Sequence, residues 1–327
     1  MQWGESMRAI AFGTAAAVGL GLVAMAPDAA AQSAFPHKTV TLVTHSSPGG
    51  GSDVFLREIV KYLGPEMGVT FVVENVRGGS GAKAIARVAQ APADGSIFYA
   101  TTPTYIQTTL LSKIEFGYDS LDPAVIVFLD PEVVYARAQS PFKTLAEAMD
   151  AAKKVPGKQR WGAANPASLE RIALERLNRL TGAKAAVVSH EGGGDLMINV
   201  LNGTLDIGIG EIQEILPQLG AGQVRLLGTL TEKRLPRYPD LGTAREQGTD
   251  LVVTKFRGLA APKGTPAAVG EMLKTAIGKV IERPDYKAKI AEESLVTALM
   301  GPAEAQAFTK RFAEEVGTSL RELGVVK

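Results

Sequence analysis

The chain has 327 residues, with 35 basic and 34 acidic side chains, three histidines and no cysteine. Its near-neutral charge, without a basic run, gives no case for nucleic-acid binding. The lack of cysteine excludes a thiol nucleophile, a thiolate metal site and a redox dithiol. A soluble chain of this length predicts two domains.

The first residues are typical of a secretory signal peptide. Residues 9–26 are apolar and rich in alanine and glycine, and Ala29 to Ala31 supply the small residues of a cleavage site. The apolar run is too short for a reliable membrane span. We predict that residues 1–31 are removed on export, while the sequence leaves the start of translation open between Met1 and Met7.

The next stretch is a strand, a glycine loop and a helix in direct succession. Apolar residues at 40–43 predict a buried strand, and helical spacing over 54–63 predicts a helix that ends at Gly64. Glycines in the loop let the backbone approach a ligand, and the helix N-terminus favours an anion. The predicted ligand contacts here are Ser46, Ser47, Gly50, Gly51, Ser52 and Asp53. A tight turn with nothing bound explains the loop equally well, and Asp53 alone can serve the helix dipole.

The first half of the chain continues as alternating strands and helices, which indicates an α/β fold. Strands are predicted over residues 70–74, 97–101 and 124–128, with a second glycine loop at 77–81. Thr102 follows the third strand and opens a helix. Because ligands bind at the carboxyl ends of parallel strands, Thr102 joins the candidate contacts.

A second unit of the same kind begins near Glu132. Strands are predicted over 133–136, 160–163, 185–189, 206–209 and 225–230, and helices over 144–154 and 196–201 and behind the loop at 165–168. Three glycines and an aspartate again precede a helix at 192–195. The candidate contacts from this unit are Asn165, Ser168, Arg171, Gly193, Gly194 and Glu211. Ser168 can instead be a plain N-cap, and Arg171 can pair with Glu170 or Glu175.

The end of the chain returns to the first unit. A strand over 251–261 is followed by three helices that begin near Pro266, Arg283 and Pro302. We therefore predict a discontinuous lobe 1, residues 32–132 and 253–327, and a lobe 2, residues 133–252. The two crossings between the lobes predict a hinge, and the facing glycine loops predict a ligand site in the cleft.

Several motifs occur together in one order. They are Pro48-Gly49-Gly50-Gly51-Ser52-Asp53, residues 73–81, Pro92-Ala93-Asp94-Gly95, residues 140–145, Gly192-Gly193-Gly194, residues 202–206 and residues 257–266. In these motifs the chain resembles the tripartite tricarboxylate transporter receptor family, the Bug-type periplasmic solute-binding proteins. The resemblance extends over essentially the whole mature chain.

The resemblance implies a two-lobed periplasmic binding protein of type II-like topology, with its ligand in the interdomain cleft. It implies a small carboxylate as ligand, delivered to the membrane permease subunits of a transporter, and neither enzymatic activity, cofactor nor metal. We expect a periplasmic monomer. Many family members carry a histidine in a Ser-x-x-His arrangement where this chain has Ser168 and Arg171. A permanent cation there predicts that Arg171 contacts the far end of the ligand.

Two other functions remain open at this point. A secreted hydrolase would use Ser46, His45, His190 and Asp53, but the chain lacks a nucleophile elbow, a P-loop ending and paired histidines for zinc. A sensor that reports to a membrane kinase would use the same binding residues as a transport receptor.

Overall fold

Two mixed β-sheets, each covered by helices, form the part of the chain that the structure describes. The computed structural model describes residues 35–322, 324 and 326. The predicted signal peptide, residues 1–31, lies outside these described residues. The α/β class predicted from the alternating pattern is confirmed.

The first sheet has six strands. In spatial order they are β11 (Val296–Met300), β4 (Leu121–Asp130), β10 (Lys255–Pro262), β3 (Ile97–Thr101), β1 (Thr39–Thr44) and β2 (Thr70–Asn75). β1 lies parallel to β2 and β3, whereas β10 runs antiparallel between β3 and β4. The sheet is therefore parallel only on the side that carries the first glycine loop.

The second sheet has five strands. In spatial order they are β7 (Ala186–Ser189), β6 (Arg160–Ala163), β8 (Ile207–Glu211), β5 (Glu132–Arg137) and β9 (Val224–Thr229). β6 is parallel to β7 and β8, and β5 is antiparallel to β8 and β9. β5, which follows a strand of the first sheet, lies between β8 and β9. β10, which follows a strand of the second sheet, lies between β4 and β3. Each of the two is antiparallel to both of its neighbours.

The chain passes between the sheets twice. β4 ends at Asp130 and β5 begins at Glu132, so the first connection consists of the single residue Pro131. The return runs from the end of β9 to the start of β10 at Lys255. The lobe boundaries and the hinge that we assigned from the sequence stay predictions.

The helices described by the structure cover both sheets. They are α1 (Gly51–Met67), α2 (Ala82–Ala89), α3 (Pro103–Leu111), α4 (Leu145–Lys154), α5 (Leu169–Thr181), α6 (Gly193–Leu201), α7 (Ile212–Gly220), α8 (Ala267–Glu282), α9 (Pro284–Glu292) and α10 (Pro302–Glu322). Among the residues described, we find no helix with the length and apolar character to cross a bilayer.

The predicted end of α1 at Gly64 was wrong. The helix continues through Pro65 to Met67, and Gly68 ends it in the left-handed conformation with its N–H bonded to the Gly64 carbonyl. A proline this close to the C-terminus removes one helical hydrogen bond but leaves few following turns to disrupt. The sequence pattern also missed α7, which contains Pro217, and the short strand β11.

An aromatic cluster fixes α10 against the first sheet. Phe256 of β10 is fully buried and meets Phe308 and Phe312 of α10 edge-on, with ring centroids 5.1 Å apart in each pair. Edge-on pairs add to the stabilisation from area burial alone. In the core beside the second sheet the largest side chain is Trp161, which is also fully buried.

Replacing Phe256 with alanine tests this packing. We expect Phe256→Ala to lower the free energy of unfolding by about 3–5 kcal/mol, because it removes a buried ring and leaves a cavity. Leu180→Ala is the control, since Leu180 is 54% exposed and its loss should cost less than about 0.5 kcal/mol. Urea denaturation followed by circular dichroism measures both, and equal losses would contradict the assignment.

Candidate functional site

The two glycine loops predicted from the sequence lie against each other. A Cβ atom on Gly194 would come well within 3.0 Å of the Pro48 carbonyl oxygen, and one on Gly192 would come equally close to Ser47. Real Cβ atoms do not approach other atoms this closely. The loop before α1 and the loop before α6 therefore meet backbone to backbone, which requires glycine on the α6 side.

A small cavity lies beside this contact. Its volume is about 20 Å³, enough for about one water molecule. Its neutral lining comes from His45, Ser46, Gly51, Ser52, Thr102, Thr104, Ala164, Asn165, Gly192 and Gly193, and its charged lining from Glu170, Glu211, Glu214, Lys255 and Arg257. Among the candidate contacts predicted from the sequence, the structure brings Ser46, Gly51, Ser52, Thr102, Asn165, Gly193 and Glu211 together here.

Other predicted contacts lie in the loop interface instead. Ser47 and Gly194 are part of the contact between the loops, and a Cβ on Gly50 would meet the Ser46 hydroxyl. Asp53 accepts hydrogen bonds from the Gly49 N–H at 2.9 Å and from Asn75 and Arg57. These residues hold the first glycine loop in shape. The contacts of Asp53 fit the structural role that the sequence offered as the alternative to ligand binding.

Ser168 and Arg171 do not line the cavity. Ser168 is the N-cap of α5, accepting the Arg171 N–H at 3.2 Å. The Arg171 guanidinium is 40% exposed and lies 3.4 Å from Glu175 on the same helix. The structure thus gives both residues the plain alternatives of capping and surface pairing, and the contact expected between Arg171 and the far end of a ligand has no support in this geometry.

A buried cluster of charged side chains surrounds the cavity, and of these the sequence had identified Glu211 alone as a site residue. Its acidic members are Asp130, Glu132, Glu170, Glu211 and Glu214, and its basic members are Lys255 and Arg257. Each is at most 8% exposed. We call this set the charge cluster.

Arg257 connects three segments of the chain. Its Nε donates to Asp130 at 2.8 Å, its Nη1 to the Ser52 hydroxyl at 2.8 Å, and its Nη2 to Glu211 at 2.5 Å. Asp130 ends β4, Ser52 lies in the first turn of α1, and Glu211 ends β8. The guanidinium therefore joins both sheets with hydrogen bonds to charged groups, which are among the strongest that proteins make.

Lys255 pairs with three acidic members of the charge cluster. Its ammonium pairs with Glu132 at 3.0 Å and also with Glu170 and Glu211. Carboxylate oxygens of these three glutamates lie within 4.8 Å of one another, close enough to hold a metal ion. Since the ammonium pairs with each of them, the chain itself supplies the cation at this position.

Glu214 occupies the position where we predicted an anionic ligand. It extends from α7, and its Oε2 accepts the N–H of Gly51, the first residue of α1, at 2.7 Å. A Cβ on Gly193 or Gly210 would come within 3.0 Å of the same carboxyl group. Two glycines thus make room for a carboxyl group at a helix N-terminus, the place where an anion is favoured.

Burial and neighbouring charges set the protonation of the charge cluster. Burial raises the pKa of Asp130 to about 6 against the pull of Arg257, and raises the pKa of Glu132 and Glu214 well above the usual range. Burial opposes ionisation of Glu211 too, but Arg257 and Lys255 together lower its pKa. After burial, the charge of Glu211 also raises the pKa of Glu214, because a second negative charge beside Glu211 is unfavourable.

His45 contributes a neutral ring to the cavity. Burial lowers the pKa of His45 to about 3, and burial raises the pKa of Tyr99, whose hydroxyl lies 2.9 Å from Nδ1. Both groups are therefore neutral, and the hydrogen bond between them holds the His45 ring in the cavity lining. His190, the other candidate histidine, lies in a separate surface groove with Pro166 and Ile198.

The contact between the loops predicts the effect of a single methyl group. Gly194→Ala places that methyl against the Pro48 backbone, which cannot rotate away, so we expect the loops to separate and stability to fall by about 1–3 kcal/mol. Small-angle scattering should show a larger radius of gyration. Gly220→Ala is the control, because a Cβ there meets nothing within 4 Å. An unchanged scattering profile for Gly194→Ala would show that the loops do not need this approach.

The pKa of Glu293, which is raised by burial and by the charge of Asp130, allows a second test. Burial, then the charge of Asp130, raises the pKa of Glu293 to about 7. A raised carboxyl pKa means that stability is lost as the pH rises from the unfolded value near 4.5 through 7. Glu293→Gln should therefore match wild type near pH 4.5 and become the more stable protein by about pH 8, in thermal melts. A difference that does not change with pH would refute this reading.

The described residues thus combine two α/β lobes, two facing glycine loops and a polar cavity, which is the architecture of a two-lobed solute-binding protein. Residues 55–324 match the family model described as tripartite tricarboxylate transporter family receptor. The chain belongs to this family and is a solute-binding receptor of that transporter class. The family is one of receptors and not of enzymes.

Known proteins agree with this assignment. A relative from Cupriavidus necator, described as a UPF0065 protein, is 26% identical over 315 residues, which is 96% of this chain and 95% of the relative. An R. palustris protein solved with adipate has a TM-score of 0.84 at 25% identity and covers 89% of this chain and 99% of its own. The periplasmic binding protein BugD, at 24% identity over 90% of this chain and 100% of its own, has a TM-score of 0.83 and shows the same fold.

Proposed function

We propose that this receptor captures a small carboxylate in the cavity beside the glycine loops and delivers it to membrane permease subunits. The family supports the transporter as partner. The R. palustris structure supports a carboxylate, since that relative was solved with adipate.

The observation that carries the proposal is the hydrogen bond from Gly51 to Glu214. This N–H, at the start of α1, donates to a carboxyl oxygen at 2.7 Å. A ligand carboxylate takes the same place when it displaces Glu214. Neutral polar groups of His45, Ser46, Thr102 and Asn165 then surround it without requiring a further charge.

Ligand entry requires the loops to separate, because a cavity of about 20 Å³ has room for about one water molecule and is too small for a carboxylate ligand. The two connections between the sheets, at Pro131 and before Lys255, are the proposed hinge. We further propose that residues 1–31 are cleaved and that the receptor acts as a monomer in the periplasm.

The geometry does not favour the hydrolase. A histidine with a pKa of about 3 is a weak general base at neutral pH, and Asp53 is bonded to Arg57, Asn75 and Gly49 instead of to His45. We propose that the receptor releases its ligand chemically unchanged.

Asn165 offers a sharp test of carboxylate binding. Its Oδ1 accepts the Ala167 N–H at 3.1 Å, so Asn165→Asp keeps this turn but replaces the amide donor in the cavity with a negatively charged oxygen. We expect affinity for carboxylates to fall by about 1.5–3 kcal/mol, measured by isothermal titration.

The control carries the same change in the same local structure. Asn202 is exposed, and its Oδ1 accepts the Thr204 N–H at 2.8 Å in a turn of the same kind. Asn202→Asp should leave affinity unchanged. If both variants bind carboxylates like wild type, the cavity is not the carboxylate site.

A further inference from the structure

We infer that the ligand carries a protonated amine in addition to its carboxylate, and that Glu170 recognises the amine. This inference rests on the proposed function and makes it more specific, because it separates amino-carboxylates from the dicarboxylates that one relative's structure suggests.

The buried acidic and basic groups around the cavity are unequal in number. Five buried carboxyl groups face two buried cations. Even when Glu132 and Glu214 hold protons, Asp130, Glu170 and Glu211 still face only Lys255 and Arg257. Buried charges need partners, so the cavity wall carries an excess of acid that a cationic group would balance.

Glu170 carries a carboxyl oxygen that no described residue binds. Glu170 lies in the first turn of α5, is 2% exposed and lines the cavity. Its Oε1 pairs with Lys255, but its Oε2 has no hydrogen-bond partner among the described residues. A buried carboxylate oxygen without a donor is costly, and an ammonium group in the cavity supplies such a donor.

A second carboxylate on the ligand would find no available basic partner in the described lining of the cavity. Lys255 and Arg257 are the basic residues in the described lining of the cavity, and each already pairs with two or more acids. Arg171 lies outside the cavity and pairs with Glu175. A dicarboxylate would add another anion to a wall that already has too many, whereas an amine finds Glu170.

The experiment compares ligands of equal carbon number. For chains of three to six carbons, the unmodified receptor is titrated with the monocarboxylate, the α-amino and terminal amino carboxylates, the dicarboxylate and the diamine. We expect the best amino-carboxylate to bind at least about tenfold more tightly than the monocarboxylate and dicarboxylate of the same length.

Glu170→Gln identifies the residue responsible. This variant keeps the size of the side chain but removes its charge, so the tenfold preference for the amino-carboxylate over the monocarboxylate of the same length should disappear. Glu175→Gln, one turn along the same helix and exposed, should keep the full preference. A preference that survives Glu170→Gln would assign the amine to another acid and overturn the role of Glu170.

The outcomes separate the two proposals. A dicarboxylate that binds as tightly as the best amino-carboxylate overturns the inference and leaves the proposed function in place. A diamine that binds more tightly than every carboxylate supports the cationic site and overturns the proposed function. These titrations use the wild-type chain, so they decide the question even if Glu170→Gln is unstable.

Discussion

The fold depends on the hydrogen bonds that Arg257 makes to three separate segments. One guanidinium holds the end of β4, the first turn of α1 and the end of β8, and it is almost completely buried. Removing one partner from a buried ionic network costs about 3–5 kcal/mol, because the remaining charges stay buried without compensation. The network therefore fixes the geometry of the cavity more strictly than apolar packing would, and it does so at the connection between the lobes.

The sequence predicted the glycine loops because their chemistry is local. The glycines at 192–194 indicate a close backbone approach. In the structure, the loop at Ser47 and Pro48 is what approaches them. The strands were equally readable, since Ile97–Thr101 and Arg160–Ala163 have the predicted bounds. Errors arose where tertiary packing overrides a local signal, as at Pro65 inside α1 and Pro217 inside α7.

The charge cluster was not predictable in the same way. Its members come from four distant parts of the chain, and only the fold brings them together. One local signal existed: Lys255 and Arg257 flank Phe256 in a strand that is otherwise apolar, and a charged residue in a buried strand needs a partner. The sequence could indicate that partners exist but not that they are Asp130, Glu132, Glu170 and Glu211.

On the proposed function, Glu214 is an intramolecular competitor for the position that the ligand carboxylate takes. Because the Glu214 carboxyl group is tethered next to the Gly51 N–H, it cannot diffuse away, and any incoming carboxylate has to compete with it. The apparent dissociation constant is the intrinsic one divided by the fraction of molecules in which Glu214 has left the Gly51 N–H. If that fraction is about one per cent, binding is about a hundredfold weaker. On the proposed function, residue 214 sets the solute concentration at which the receptor works, without contributing to its choice of solute.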